Sequence, residues 1–487
     1  MLAAYGIFRT SYVQTRLASV VANYLSKELG TQVSVGQLDI SWFLDVVIND
    51  IIVKDKQNNT LFKAGRLRAN IGKINLKRRF LGIYAFSIRD AEINLLRFKT
   101  NEEMNFDFIV SYFSGTDTAS ADTSSSKPWR LGISGVKISN TSFNYSNQLK
   151  EPTETGVDYN YLKINGLNLE IKKINIAGDS ITGQIEKLGF VEKSGFRLND
   201  LSTRFLISSD SIVARNLHIL TPGSHINLGL KFRHSGYRAY NDFIDSIKMT
   251  GEFDRTSIKL SDIGYFAPEL ASIDEVIKVH GKITGTVASL RARNFRFAYR
   301  DNTYFEGNIS MDGLPDINET FIHLNIKDLR SNYKDFEAFR INSKPIVKVP
   351  DDLKNLGIIR IKGYFTGFFY DFVSAATFNT ALGSIQTDLS LKTDTKENIN
   401  YSGHLNIRNW NLGKTIQAEE YLGKIDFSSE IKGSYNTKAG ISAALNGLIS
   451  KLDLLGNSFS NIEIDGNLEN KQLDRKSTRL NSSHRIR

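Results

Sequence analysis

The sequence predicts a mainly β protein, elongated and repeating, with a short amphipathic helix at its N-terminal end. Three observations carry this. Apolar and polar residues alternate with strand period, with few interruptions, from Thr31 to Leu473. The composition, 36 Gly against 7 Pro with 30 Phe and 19 Tyr, suits strands joined by tight turns. At about 10–12 residues per strand and turn, the stretch from 129 to 473 holds roughly thirty strands, more than a usual sandwich or soluble barrel.

Residues 1–10 open with MLAAYGIF, far short of the roughly 20 residues a spanning helix needs. They read as the remnant of a membrane anchor. Ser11 is placed to cap a helix reaching about Leu29, with Val13, Leu17, Val20, Val21, Tyr24, Leu25 and Leu29 as its apolar stripe, and Gly30 suits the position just past its end. From Thr31 the period becomes two. Val33 and Val35 share one parity and Leu38, Ile40 and Trp42 the other, so a turn or bulge is expected at Gly36–Gln37. Further strands complete a first module over 11–100. Residues 101–128 hold a short helix near Met104–Phe113 and a Ser/Thr-rich linker. Residues 129–473 read as a long run of repeating strands, broken only by a helical turn near Leu260–Pro268. A Gly-x-apolar-x-Gly pattern occurs twice, at 281–285 and 363–367, and suggests an internal repeat.

The last fourteen residues, 474–487, resemble translated sequencing adapter read through from the end of a DNA fragment. They hold five Arg/Lys and one Asp, so without them the net charge of +10 falls to +6. Both ends are therefore expected to be cut. The absence of cysteine excludes disulfides, thiolate metal sites and Cys nucleophiles.

Strict alternation gives every strand one apolar face that must be hidden. The two or three short helices cannot cover so many strands. A second sheet, closure into a barrel, or a curved sheet wrapped around an apolar ligand are the remaining solutions.

Residues 29–40 (LGTQVSVGQLDI), 44–55 (LDVVINDIIVKD) and 59–62 (NTLF) resemble the N-terminal region of the TamB branch of the AsmA-like superfamily. Residues 190–202 (FVEKSGFRLNDLS), and 260–268 (LSDIGYFAP) followed by 279–285 (VHGKITG), are similar to later segments of the same proteins. The resemblance covers about residues 11–470. It implies an inner-membrane helix with the rest in the periplasm of a diderm bacterium, and makes residues 129–473 an elongated, curved, repeating β-groove (taco-like) that carries phospholipids toward the outer membrane. It also implies an outer-membrane barrel partner and a role in outer-membrane biogenesis. The membrane helix and the C-terminal domain that meets that partner are both missing from this sequence. On this reading the groove is lined by Ile226, Leu228, Leu230, Phe232, Phe295, Phe297, Ile322, Leu324, Leu389 and Leu391, and phospholipid acyl chains are the ligand. The alternative is a scaffold that assists assembly of autotransporter-type outer-membrane β-proteins.

Other chemistry finds little support. No His-Glu-x-x-His, Gly-x-Ser-x-Gly or Walker A pattern occurs, so no catalytic residue, cofactor or metal ligand is expected and the chain reads as a non-enzyme. His218, His225 and His234 are close in sequence, but strand geometry is expected to scatter them. Lys77-Arg78-Arg79 is the one compact basic run and reads as a solvated turn. Positive charge is otherwise spread along strands, which argues against nucleic acid as a partner.

Overall fold

The computed structural model describes residues 11–41, 44–77, 80–99, 103–114, 130–338, 340–341, 344–345, 351–395, 398–436, 440–469 and 472–477. The anchor remnant, Trp42, the Ser/Thr-rich linker, Arg78, Arg79 and residues 478–487 lie outside these. The chain divides into two units, 1–231 with 258–271, and 232–257 with 272–487.

The first unit begins with helix α1 (Ser11–Leu29), which runs along β1 (Val33–Ile40). Then come β2 (Asp45–Lys54), β3 (Thr60–Asn75), β4 (Phe80–Arg97), helix α2 (Asp107–Ser114), β5 (Arg130–Ile133), β6 (Val136–Asn147), β7 (Lys163–Ala177), β8 (Ser180–Glu192), β9 (Arg197–Leu198), β10 (Asp200–Ile207), β11 (Ser211–Leu220) and most of β12 (His225–Arg233). Strands β1 to β4 form an antiparallel meander. Strands β5 and β6 then run parallel to β4, a pairing that needs a long crossover, here the segment carrying α2. Antiparallel order resumes from β6 through β7 and β8 to β10 and β11.

Of the expected stripe on α1, Val13, Leu17, Val21, Leu25 and Leu29 are half-buried. Gln14, Ala18 and Ala22 are buried, whereas Val20 and Tyr24 are 64% and 58% exposed. Small alanines let the helix approach β1 closely. Gln14 is satisfied there, because Gln37 Nε2 donates to its Oε1 (2.8 Å) and its own Nε2 donates to Asp39 Oδ1 (3.3 Å). Gly30 (φ 59°) ends the helix, and Lys56 Nζ donates to the Leu29 and Gly30 carbonyls at 2.8 and 3.1 Å.

The second unit contains most of β13 (Lys248–Lys259), then β14 (Val276–Gly285), β15 (Ser289–Tyr299), β16 (Thr303–Asp312), β17 (Phe321–Ser331), a separate hairpin of β18 (Arg340–Ile341) and β19 (Lys344–Pro345), β20 (Ile359–Phe368), β21 (Asp371–Asn379), β22 (Ser384–Thr395), β23 (Asn398–Asn411), β24 (Leu422–Asn436), β25 (Gly440–Leu454), β26 (Asn457–Phe459), β27 (Ile462–Glu469) and β28 (Gln472–Ser477). From β14 to β17, and on through β20 to β25, β27 and β28, each strand is antiparallel to the last. Neither unit's ladder returns to its first strand among the described residues, so the sheet is open within each unit.

Two expectations are corrected, and one further pairing is observed. Among the described residues, 130–477 hold 24 strands rather than roughly thirty, because several reach 14 or 15 residues. The stretch is not almost pure strand, since short helical pieces lie at Tyr237–Ser246, Tyr333–Ala338, Asp351–Leu356 and Leu412–Ile416. Asp474–Ser477, the first residues of the adapter-like tail, pair with β27 as part of β28.

The parity change at Gly36–Gln37 has a clear structural basis. Gly36 faces Asp50, whose φ is 52°, and both strands swap faces together without losing register. The same device recurs where Gly65 faces Asp90 (φ 53°) between β3 and β4. Asp tolerates this left-handed conformation and glycine leaves room for it. Val33, Val35, Leu38 and Ile40 therefore all project from one side.

The two Gly-x-apolar-x-Gly copies also occupy equivalent places, at the starts of the β14–β15 and β20–β21 hairpins. Their second glycines have φ of 117° (Gly285) and 135° (Gly367). A Cβ on Gly367 would lie 2.3 Å from the Asp371 carbonyl oxygen, so the chain bends where a side chain cannot fit. Gly367→Ala is expected to destabilise the protein by about 1–3 kcal/mol, read as a lowered urea midpoint. An unchanged midpoint would show that the bend carries no strain.

Candidate functional site

Register, rather than proximity in sequence, assembles the candidate site. In the second unit Phe297 lies opposite Val279 on one side and Phe305 on the other, with the Phe297 and Phe305 rings stacked at 5.4 Å. Met311 and Ile309 face Ile322 and Leu324, and these face Gly367 and Phe365. Gly367 pairs with Phe372, Phe372 with Leu391, and Ser374 with Leu389. Leu391 and Leu389 continue to Tyr401 and Gly403, then to Gly433 and Ile431. Directly paired residues project to the same side of a sheet. Six of the predicted lining residues, Phe295, Phe297, Ile322, Leu324, Leu389 and Leu391, therefore share one apolar face that runs from β14 to β27.

The parity needed for this is restored inside β15. Ala292 and Phe295 are three apart yet both face this side, because Asn294 (φ 48°) forms a bulge between them. The other four predicted residues, Ile226, Leu228, Leu230 and Phe232, sit together on one parity of β12 and are half-buried. They lie outside the registered run that begins at β14. Phe232 instead packs edge-on against Phe243 at 5.8 Å. Phe305, Phe365, Phe372, Tyr401 and Ile431 belong to the face and are not among the residues predicted from sequence. Their strand parity is legible in the sequence, but the hairpin register that joins them to the face is not.

Exposure separates the two sides of the sheet. In β23, Ile399, Tyr401, Gly403 and Leu405 are half-buried while Asn398, Asn400, Ser402 and His404 are exposed. In β17, Ile322 is 6% exposed and Leu324 and Ile326 are half-buried, between exposed His323, Asn325 and Lys327. The apolar face is thus shielded unevenly: Val279, Ala292, Phe305 and Ile322 are buried, while Leu324, Ile326, Tyr401 and Leu405 are half-buried. The apolar cluster of fully buried residues in the described structure is small, Ile51, Ala64 and Ala91 in the first unit. A sandwich or closed-barrel core would bury the centre of the face completely.

The opposite face is ionic. Lys282 pairs with Glu252 (2.6 Å), Arg291 with Asp312 (2.9 Å) and Arg296 with Glu306 (3.4 Å), all exposed pairs that contribute little to stability. A cleft of about 670 Å³ opens there, lined by Lys278, His280, Arg296, Tyr304 and Asp254. Phe297 is the one predicted lining residue that borders it. A second cleft of about 450 Å³ includes Lys362, Asp388 and His404, and a third of about 520 Å³ lies in the first unit beside Arg68, Tyr84, Lys137 and Glu170.

The histidines are not all scattered. The rings of His218 and His225 lie 4.8 Å apart, which corrects the expectation from sequence, whereas His234 is buried among Tyr237 and Tyr240. Lys77 sits in the turn after β3. Among the described residues no group of three or more His, Asp or Glu is arranged to hold a metal, and no helix is long and apolar enough to cross a membrane.

No protein-family model matches the chain, and neither a curated protein nor a solved structure does.

His404 is held between two carboxylates contributed by the flanking strands. Asp388 Oδ1 is 3.3 Å from its Nδ1 and Glu430 Oε1 is 3.2 Å from its Nε2. Hydrogen bonding to Asp388, and next to Glu430, raises the imidazole pKa above the ordinary 6.5. In return, the His404 backbone N–H helps hold the Asp388 carboxyl below its usual range. A raised folded-state pKa means that this contribution to stability is complete below pH 6.5 and is lost as pH rises through the raised value. NMR titration should give a His404 midpoint above 6.5, and Asp388→Asn should lower it. A wild-type midpoint at or below 6.5 would disprove the clamp.

Proposed function

We propose that this chain is part of a bridge that moves phospholipids along an apolar β-groove between the inner and outer membranes of a diderm envelope. The observation that carries the reading is the registered apolar face from β14 to β27, much of it only half-buried. In this reading each sheet curls around its apolar side, and bends such as the one at Gly367 supply the curvature. The resemblance of the sequence to the TamB branch supports the same assignment, with a periplasmic location, an inner-membrane anchor and an outer-membrane barrel partner as its further parts.

The energetics suit transport. Each methylene taken out of water contributes about 0.8 kcal/mol. Eleven strands, β14 to β17, β20 to β25 and β27, are registered in sequence. At about 4.8 Å per step they give a path of roughly 48 Å, longer than the approximately 15 Å of one leaflet's hydrocarbon. A lipid therefore meets similar apolar neighbours at successive positions and finds no single deep trap. Headgroups stay in water at the groove mouth. No step calls for a catalytic residue, so the activity is carriage rather than chemistry.

Native mass spectrometry of the purified protein is expected to show bound phospholipid. Phe297→Glu, Leu324→Glu and Leu389→Glu should each lower lipid occupancy several-fold while far-UV circular dichroism stays unchanged. Lipid-free wild-type protein would count against the bridge. If that protein captured unfolded outer-membrane β-strands, the assembly scaffold would take its place. Outright unfolding of the variants would make these side chains core.

A further inference from the structure

The ring pair at His218 and His225 has no part in lipid carriage, and the geometry points to a cross-strand bis-histidine site for a divalent late first-row metal ion, Cu²⁺ or Zn²⁺. The pair belongs to the hairpin of β11 and β12. Its ring centres are 4.8 Å apart and its planes are at 86°. A metal bound at about 2.0–2.1 Å from an imidazole nitrogen lies about 3.2 Å from the ring centre. Two such rings at 90° to 109° about the ion then have centres about 4.5–5.2 Å apart. The observed separation falls inside that interval.

Two further features favour a ligand. Asn227 Oδ1 lies 3.0 Å from His218 Nδ1 and accepts its proton, which leaves the Nε2 lone pair of His218 for a metal. The turn joining the strands is also rigid. Thr221 and Ser224 are buried and bonded to each other, with Ser224 N donating to Thr221 Oγ1 at 2.7 Å. Both hydroxyls donate to Asp262 Oδ2, and Ser224 Oγ accepts from Lys259 N at 2.9 Å. His225 follows Ser224 directly, so its backbone is fixed while its exposed ring is free to rotate about χ2 and bring its nitrogen to the ion. Water completes the coordination. Two imidazoles favour Cu²⁺ over Zn²⁺. The bound ion cross-links β11 to β12 beside the turn.

The test is titration of the full chain with ZnCl2 and with CuCl2 by calorimetry, with electron paramagnetic resonance on the Cu²⁺ form. One site is expected, with Cu²⁺ tighter, and nitrogen hyperfine structure from two imidazoles. His218→Ala and His225→Ala should each weaken binding at least tenfold, and Asn227→Ala about tenfold. His404→Ala, which removes the histidine held between two carboxylates, should leave affinity unchanged. Circular dichroism checks that each variant is folded. Equal affinity in wild type, His218→Ala and His225→Ala would overturn the site, as would loss of binding in His404→Ala alone or no binding to wild type at millimolar metal. Lipid occupancy is measured separately, so the metal site and the lipid bridge can each fail without the other.

Discussion

The alternation of side chains along a β-strand is the constraint on which the rest of this structure depends. Every strand must place its apolar residues on the same side as its neighbour, or the sheet presents mixed faces to water. Over eleven registered strands of the second unit that condition holds from Phe297 through Leu324 and Leu391 to Ile431. It holds because phase errors are corrected locally. Asp50, Asp90 and Asn294 take left-handed backbone, and glycine stands opposite two of them, so a shift of parity in one strand is matched or absorbed. These small residues in mid-strand weaken strand propensity and would be poor choices if propensity were the aim. Their value lies in keeping faces aligned.

The sequence shows strand parity directly, and the mainly β class with it. Partner choice is another matter. The parallel pairing of β6 with β4 depends on a crossover whose length and helix give no sign of where the chain returns. Hydrophobicity alone locates the packed side of α1 only roughly, because residue size decides which side chains come closest to β1. Ala18 and Ala22 permit close approach to β1, and Gln14 finds partners there, so Val20 and Tyr24 are left outside. The His218–His225 pair is hidden in the sequence for a similar reason. Only the four-residue turn after Leu220 puts those two rings side by side, and its rigidity comes from Asp262, far away in sequence.

The two faces answer to different forces. The ionic face is a set of exposed pairs, Lys282–Glu252 and Arg291–Asp312 among them, which salt screens and whose net stabilisation is small. The His404 clamp is the exception in kind, since both ring nitrogens meet carboxylates from adjacent strands and its strength follows pH. The apolar face is insensitive to salt and pH and contributes through burial alone. A change in solution conditions therefore alters one side of the sheet and spares the other.

A half-buried apolar face also sets a thermodynamic problem. With few large apolar side chains fully buried among the described residues, Ile247 and Ile273 being two, stability rests in good part on ladder hydrogen bonds and on contacts between neighbouring side chains. Each backbone bond adds only about 0.5–1.5 kcal/mol net, and half-exposed leucines recover only part of the transfer energy that full burial gives. Whatever occupies the face adds the missing burial and binds the folded state alone, so it raises stability by mass action. Under the proposed function the lipid is then more than cargo. It completes a core that the chain leaves open, and an empty groove is the least stable state in the transport cycle. That coupling argues for continuous occupancy, with each lipid displaced by the next, over a groove that fills and empties.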